Sequence, residues 1–145
     1  MMGTSDRKRV ILVCGPANSG RTESIRRFLG SLGMHFPNRP SDVTVVVQIQ
    51  KDGILRNLGI TSAGEEPEAI KRNLQFLNRY PWDVIVCAAK SQGNTADYVR
   101  EFADSGRAEL IPVPTSRAGA REIEAEQRRV AQKIENYIWQ REPAA

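Results

Sequence analysis

Hydrophobic residues fall into short runs that alternate with longer amphipathic segments along the chain. Five apolar runs predict strands, and two of them are almost continuously apolar, as is typical of strands buried on both faces. Four segments place apolar residues three and four positions apart, which predicts helices. The predicted strands are Arg9–Cys14, Val43–Ile49, Ile54–Ile60, Asp83–Ala89 and Glu109–Val113, and the predicted helices are Arg21–Leu32, Pro67–Tyr80, Thr95–Asp104 and Gly119–Gln140.

The order β-α-β-β-α-β-α-β-α predicts an α/β fold with three layers. Strands that alternate with helices favour a mainly parallel five-stranded sheet covered by helices on both faces. Asp52-Gly53 predicts a hairpin between the second and third strands, and Asn94 is the predicted N-cap of the third helix. We expect a single domain over residues 1–145, with flexible ends at 1–8 and 141–145.

Composition narrows the class of protein. The chain has 145 residues, of which 40% are hydrophobic and 26% charged, a globular balance that excludes a collagen-like or largely disordered protein. No apolar run approaches the ~18–20 residues of a membrane-spanning helix, and no secretory signal is evident, so we expect a cytoplasmic protein without a membrane partner. Cys14 and Cys87 each lie inside an apolar run, which favours two reduced thiols.

The positive charge is concentrated near the start of the chain. The net charge is +4, yet residues 1–40 hold seven Lys or Arg against two Asp or Glu, whereas residues 41–145 hold fourteen against fifteen. This asymmetry indicates an anion site in the first third of the chain. The basic stretch Arg7-Lys8-Arg9 is short and has no interleaved aromatic residues, which argues against a nucleic-acid partner.

A glycine-bounded loop joins the first strand to the first helix, with the sequence Gly15-Pro16-Ala17-Asn18-Ser19-Gly20-Arg21-Thr22. It resembles the Walker A signature G-x-x-x-x-G-K-[ST], with arginine in the lysine position. The two glycines allow successive backbone N–H groups to face a phosphate, and the helix start adds partial positive charge. We therefore assign phosphate binding to Gly15, Asn18, Ser19, Gly20, Arg21 and Thr22, and the binding of Mg²⁺ to the Thr22 hydroxyl.

Arg21 is the main departure from that signature. Its planar guanidinium is bulkier than a lysine ammonium and forms bidentate contacts, so the replacement is not conservative. Two alternatives follow for this side chain. Either it holds a phosphate bidentately and takes part in catalysis, or it folds out of the loop.

The P-loop together with the hairpin and the order of elements resembles the small Ras-like GTPases of the P-loop NTPase superfamily, in a degenerate form. Thr61 and Glu65 stand at the first and last positions of that family's D-T-A-G-Q segment, and Lys90 is the one match to N-K-x-D. Thr115-Ser116 matches the start of T-S-A-K. The resemblance implies catalytic positions near the attacking water for Thr61 and Glu65, and contacts to the nucleotide from Lys90 and Ser116.

Ligands of open α/β sheets lie beyond the carboxyl ends of the strands. This rule predicts that residues 15–22, 61–66, 90–93 and 115–117 converge on one edge of the sheet.

The leading hypothesis is a protein that binds Mg²⁺ with ATP or GTP and acts as a slow hydrolase or a nucleotide-dependent switch. The identity of the nucleotide base stays open, because the acidic residue of N-K-x-D is missing. One alternative is a non-enzymatic module that binds a protein partner or a second copy of itself. A small-molecule kinase ranks third, since 145 residues leave little room for a lid.

Overall fold

The computed structural model describes residues 8–16, 19–34, 42–63, 66–90 and 93–140. None of the helices within these ranges combines the length and the apolar character that crossing a membrane requires. The elements are β1 (Arg9–Cys14), α1 (Arg21–Ser31), β2 (Thr44–Lys51), β3 (Ile54–Thr61), α2 (Pro67–Leu77), β4 (Val84–Ala89), α3 (Asn94–Ser105), β5 (Glu109–Pro114) and α4 (Ile123–Trp139).

These strands form one sheet in the order β2-β3-β4-β1-β5. β1 lies between β4 and β5 and is parallel to both, with Cys14 level with Ala89 on one side and Pro114 on the other. β3 runs parallel to β4, whereas β2 runs antiparallel to β3. The expectation of an α/β protein with a mainly parallel five-stranded sheet is confirmed.

The connection from β2 to β3 contains two residues with positive φ, 53° at Asp52 and 79° at Gly53. Such a pair gives a turn whose twist matches that of two antiparallel strands, and both residue types tolerate the conformation. The register places Thr44 opposite Thr61 at the far end of the pair. The start of β2 therefore lies beside the end of β3.

Two hydrophobic cores cover the two faces of the sheet, because successive side chains of a strand point in opposite directions. On the first face, Ile11 of β1 belongs to a core with Phe28 of α1 and Ile134 of α4. On the second face, Leu12 belongs to a core with Leu74 of α2 and with α3. Thus α1 and α4 cover one face, and α2 and α3 cover the other.

This distribution of helices defines a crevice between β1 and β4. The chain leaves β1 toward α1 on the first face, and it leaves the neighbouring β4 toward α3 on the second face. Adjacent parallel strands whose connections diverge in this way open a cleft at their carboxyl ends, where ligands of α/β proteins bind. We call this place the β1/β4 crevice and define it by Cys14–Gly15 and Ala89–Lys90.

Several element ends differ from the predictions, since hydrophobic periodicity reports a buried face rather than a terminus. The last helix begins at Ile123, not Gly119, after a turn in which Glu122 N donates to Gly119 O. α2 ends at Leu77, three residues early. The prediction of Asn94 as an N-cap is wrong, because α3 begins at Asn94 and its N-cap is Gly93, with φ 101°. Each of the remaining ends either matches the prediction or shifts by one or two residues.

Candidate functional site

The glycine loop, residues 15–20, leads from β1 into α1, and residues 15, 16, 19 and 20 of it are described. Gly20 is the N-cap of α1 and adopts the left-handed conformation, with φ 84° and ψ 26°. Among the described residues, no side chain caps this helix start. A left-handed residue at this point turns backbone N–H groups toward one concavity, and the helix adds partial positive charge. The start of α1 is therefore suited to an anion.

Gly15 is required by close packing. A Cβ atom at this position would lie 2.7 Å from the backbone oxygen of Thr115 and 2.9 Å from Ser19 Oγ. Because the backbone oxygen cannot move by a change of rotamer, a larger residue would push the loop away from the end of β5. The first glycine of the loop thus lets the backbone approach the segment that follows β5.

Two buried hydroxyls join these segments. Ser19 Oγ lies 2.6 Å from Thr115 Oγ1, and both residues are 5% exposed. Ser19 Oγ also lies 2.7 Å from Pro16 O, and Thr115 Oγ1 lies 3.1 Å from Cys14 O. Because each hydroxyl has one hydrogen, one of the two donates to the other while the second donates to its backbone carbonyl. The hydroxyl of Ser19, predicted to contact phosphate, is therefore engaged within the loop.

Two guanidinium groups place positive charge near the end of β1. Arg21, the first residue of α1, is only 6% exposed. Burial raises the pKa of the half-buried Cys14 thiol, and the positive charges of Arg100 and Arg21 oppose that rise. Arg100 projects from α3 and donates to Asp97 Oδ1 at 3.0 Å. The crevice thus receives positive charge from α1 and from α3.

The start of α3 adds to this environment. Gly93 precedes the helix, and no side chain of the described ranges caps it. The hydroxyl of Thr95, in the first turn, is buried and has no hydrogen-bond partner in the part of the chain that the structure describes. Lys90 is exposed at the end of β4, beside the end of β1. Two helix starts and a lysine therefore surround the β1/β4 crevice.

A group of oxygens lies where the start of α1 meets the ends of β2 and β3. Thr22 Oγ1 lies 3.5 Å from Asp42 Oδ1 and 3.5 Å from Ser62 O. Ser62 Oγ donates to Asp42 Oδ1 at 3.3 Å and accepts from Val43 N at 2.8 Å. Three segments that are distant in sequence thus meet at the Thr22 hydroxyl.

Thr61 is less accessible than the sequence suggested, whereas Ser116 is exposed but has its donors engaged within the protein. Thr61 is fully buried, and its hydroxyl lies 2.9 Å from Thr44 Oγ1 on the neighbouring strand. Ser116 N and Oγ both donate to Glu126 Oε2, at 3.1 and 3.3 Å. Arg129 donates to the same carboxylate, and with Ser116 it lowers the pKa of Glu126 to about 2. The donors of Ser116 therefore anchor its loop to α4.

The predicted convergence is partly visible. Thr115 meets the glycine loop through Ser19, and Ser62 meets Thr22. Asn18 and Glu65 lie outside the described residues. Sequence reasoning missed Asp42 and Arg100, which no motif marks. The sequence holds one weak indication of Asp42. It lies between a Pro-rich segment and the apolar run of the second predicted strand.

Open cavities lie elsewhere on the described surface. One of about 610 Å³ lies between α1 and α4, beside Glu23 and Gln127. Another, of about 520 Å³, lies at the opposite end of the sheet, near Lys51 and Trp139. Neither contains the left-handed glycine or the Thr22 hydroxyl. We therefore place the candidate site at the β1/β4 crevice, on its chemistry rather than its size.

Comparison with known proteins gives no family for this chain. No model of a known protein family matches it, and no curated protein is significantly similar to it. The described part of the chain holds no group of three or more histidine, cysteine, aspartate or glutamate side chains placed to bind a metal ion. Any metal there would depend on hydroxyl and carbonyl oxygens as well as carboxylates.

Proposed function

We propose that this chain binds a nucleoside triphosphate with Mg²⁺ at the β1/β4 crevice and acts as a slow hydrolase or a nucleotide-dependent switch. The observation that carries the proposal is the left-handed Gly20 at the start of α1, in the loop that follows β1. That geometry is how P-loop proteins present backbone N–H groups to phosphates. The close approach of Gly15 to Thr115 supports it, because it holds the start of the loop in place.

Charge supports phosphate as the anion. Arg21 and Arg100 both act on the end of β1, and Lys90 is exposed beside it. In our proposal Arg21 and the first N–H groups of α1 bind the phosphate chain. The identity of the nucleotide base is not predicted by the charge or the spacing of these residues, since the Ser116 donors are engaged by Glu126. Both ATP and GTP are therefore tested.

The side chains near the proposed phosphate site favour a slow rate of hydrolysis. Catalysis of phosphoryl transfer depends on positioning a nucleophile and neutralising charge. The Thr61 hydroxyl is buried against Thr44 and does not reach the crevice surface. Arg21 replaces the slimmer lysine, which changes how charge reaches the outer phosphates. We therefore propose that the chain binds the nucleotide but hydrolyses it slowly.

A non-enzymatic interaction module is the second candidate. The observation that favours it is that the buried Ser19 hydroxyl is already engaged by Pro16 O and Thr115 Oγ1. A hydroxyl that is satisfied by protein groups does not need a ligand. In that case the chain keeps the P-loop scaffold but not its ligand.

One pair of measurements separates these functions. Calorimetric titration with Mg-ATP and Mg-GTP reports binding, and phosphate release from the same samples reports turnover. Binding with release supports a hydrolase, and binding without release supports a switch. The absence of binding at millimolar nucleotide overturns the proposal and favours the interaction module.

A further inference from the structure

We infer that Asp42 supplies the carboxylate of a divalent-cation site completed by Thr22 and Ser62. The inference deepens the proposed function and rests on it for the identity of the phosphate ligand that would share the cation. The sequence assigns Mg²⁺ to Thr22 alone, and the resemblance to Ras-like GTPases places an acid at position 61, where this chain has threonine. Asp42 comes instead from the segment that leads into β2.

The spacing of the oxygens suits a cation better than hydrogen bonds. Hydroxyl hydrogen bonds usually span about 2.5–3.0 Å. The distances of Thr22 Oγ1 to Asp42 Oδ1 and to Ser62 O are both 3.5 Å. Adjacent ligands of an octahedral ion lie about 3.0 Å apart around Mg²⁺ and about 3.4 Å apart around Ca²⁺, given their metal–oxygen distances. A small contraction brings these oxygens to the separation that Mg²⁺ requires.

The donor set has the right chemistry. A carboxylate, a hydroxyl and a backbone carbonyl are hard oxygen ligands, which Mg²⁺, Mn²⁺ and Ca²⁺ prefer. Asp42 is exposed, whereas Thr22 is half-buried and Ser62 is 1% exposed. The ion would therefore have protein oxygens on one side and an open side for water or phosphate. Mg²⁺ commonly binds through one or two carboxylates together with substrate phosphates.

Ser62 fixes the position of the carboxylate. Its N–H donates to Val43 O at 2.9 Å, and its Oγ accepts from Val43 N at 2.8 Å. These two bonds hold the residue before β2 over the end of β3. Asp42, directly before Val43, is thereby held beside Thr22 at the start of α1. Ser62 is thus both a carbonyl ligand and a positioning residue.

The burial of Thr61 explains why the carboxylate comes from the segment before β2 rather than from the end of β3. Its side chain is buried between β2 and β3, where its hydroxyl lies 2.9 Å from Thr44 Oγ1. A carboxylate at that position would be buried away from water, at a high cost in free energy. The exposed position of Asp42 carries no such cost, and its Oδ1 lies 3.5 Å from the Thr22 hydroxyl.

The test uses the metal alone, without nucleotide. Mn²⁺ is titrated into the full chain and counted by the loss of its free-ion electron paramagnetic resonance signal. We expect one ion with a Kd of about 10⁻⁴–10⁻³ M, as for sites with few charged ligands. Asp42→Asn keeps the shape but removes the charge, and we expect it to weaken binding at least about tenfold. Asp52→Asn, at the other end of β2, makes the same charge change and should leave binding intact.

Thr22 gives a second and independent variant. Thr22→Ser keeps the hydroxyl and should bind Mn²⁺ as the wild type does, whereas Thr22→Val should weaken binding as Asp42→Asn does. Thermal unfolding of each variant confirms that it folds. Failure of the wild type to bind Mn²⁺ at millimolar concentration overturns the inference, as does equal binding by Asp42→Asn and Asp52→Asn.

The outcome is separable from that of the proposed function. If Mn²⁺ binds through Asp42 but neither nucleotide binds, the cation site stands and the nucleotide proposal fails. If a nucleotide binds with the same Mg²⁺ dependence in the wild type and in Asp42→Asn, the proposed function stands and the inference fails.

Discussion

Ser19 Oγ and Thr115 Oγ1 lie 2.6 Å apart, and this contact joins the loop after β1 to the segment after β5 across 96 positions of sequence. Both hydroxyls are buried, so neither has water as an alternative partner. The pair holds the glycine loop against the edge strand. Any ligand at the start of α1 therefore meets a Ser19 side chain that is already fixed beside Thr115.

The first prediction concerns that pair. We expect a double-mutant cycle with Ser19→Ala and Thr115→Val to give a coupling free energy of about 0.5–1.5 kcal/mol, the usual net value of a hydrogen bond. Urea unfolding of the four proteins measures it. Thr95→Val, which changes a buried threonine hydroxyl without a partner, serves as the control and should show no coupling to Ser19→Ala. Additive effects of Ser19→Ala and Thr115→Val would contradict the role given to the contact.

The second prediction concerns Arg21. If its guanidinium binds phosphate, Arg21→Ala removes a charge-assisted interaction of about 1.5–3 kcal/mol, which weakens nucleotide binding about 10- to 150-fold. Arg21→Lys keeps the charge and should retain most of the affinity while raising the rate of phosphate release. Arg72→Ala, on the exposed face of α2, is the control. Unchanged affinity in Arg21→Ala would mean that the guanidinium folds away from the ligand.

The third prediction uses Cys14 as a reporter of the crevice. Cys87 is fully buried with its pKa raised to about 12, so alkylation by iodoacetamide at pH 8 should occur at Cys14. Burial raises the pKa of Cys14, and the positive charge of Arg100 opposes part of that rise. Removing that charge in Arg100→Ala raises the pKa, reduces the thiolate fraction and should slow alkylation about two- to fivefold.

Mass spectrometry of the modified protein measures the rate at each cysteine. Arg72→Ala should leave the rate at Cys14 unchanged. A nucleotide bound in the β1/β4 crevice should protect Cys14 in the wild type. Faster alkylation of Cys14 in Arg100→Ala would show that the electrostatic account of the crevice is wrong.

The fourth prediction is a pH dependence of stability at the loop after β5. The pKa of Glu126 falls from 4.5 to about 2 in the folded protein, chiefly through Arg129. The ionised carboxylate therefore stabilises the fold fully above pH 4.5, and this contribution is lost as the pH falls toward 2. We expect Glu126→Gln to lower the free energy of unfolding by about 1–2 kcal/mol at pH 7, and by much less at pH 2.

Urea unfolding at the two pH values measures this difference. The matched control is Glu124→Gln, which removes an exposed carboxylate from the same helix and breaks a surface ion pair with Arg128. Surface pairs contribute about 0–1 kcal/mol, so its effect should be small at both values of pH. An equal loss of stability for Glu126→Gln at pH 7 and pH 2 would refute the assignment.

The fold was largely predictable because it depends on local patterns. The apolar runs that form β1 and β4 are buried on both faces, and the helices keep the stripes that the spacing indicated. The Asp52-Gly53 turn follows from residue types that tolerate positive φ. Helix ends were less predictable, since the turn before Ile123 and the cap at Gly93 depend on backbone hydrogen bonds rather than on periodicity.

The site was predictable only where a motif is local. The glycine loop is contiguous, so Gly15 and Gly20 could be found from spacing alone. Asp42 and Thr22 are 20 positions apart, and they meet because β2 pairs antiparallel with β3. The engagement of Ser116 by Glu126 likewise depends on how α4 folds back over β5. Contacts that the tertiary structure creates leave little trace in a single sequence.

The central claim concerns the left-handed glycine at the start of α1. Gly20 and Gly33 lie near the two ends of this helix and have nearly equal φ, 84° and 85°. Replacement of either residue by alanine imposes the same backbone conformation on a residue with a Cβ, at a cost of about 1–2 kcal/mol. The two variants are therefore matched in stability but differ in their distance from the glycine loop.

The most direct measurement is calorimetric titration of Mg-ATP and Mg-GTP into the wild type, Gly20→Ala and Gly33→Ala. The account predicts that the wild type and Gly33→Ala bind at least one nucleotide with equal affinity, while Gly20→Ala binds at least about tenfold more weakly, a difference of about 1.4 kcal/mol. Equal binding by Gly20→Ala and Gly33→Ala, or no binding by the wild type at millimolar nucleotide, would contradict it.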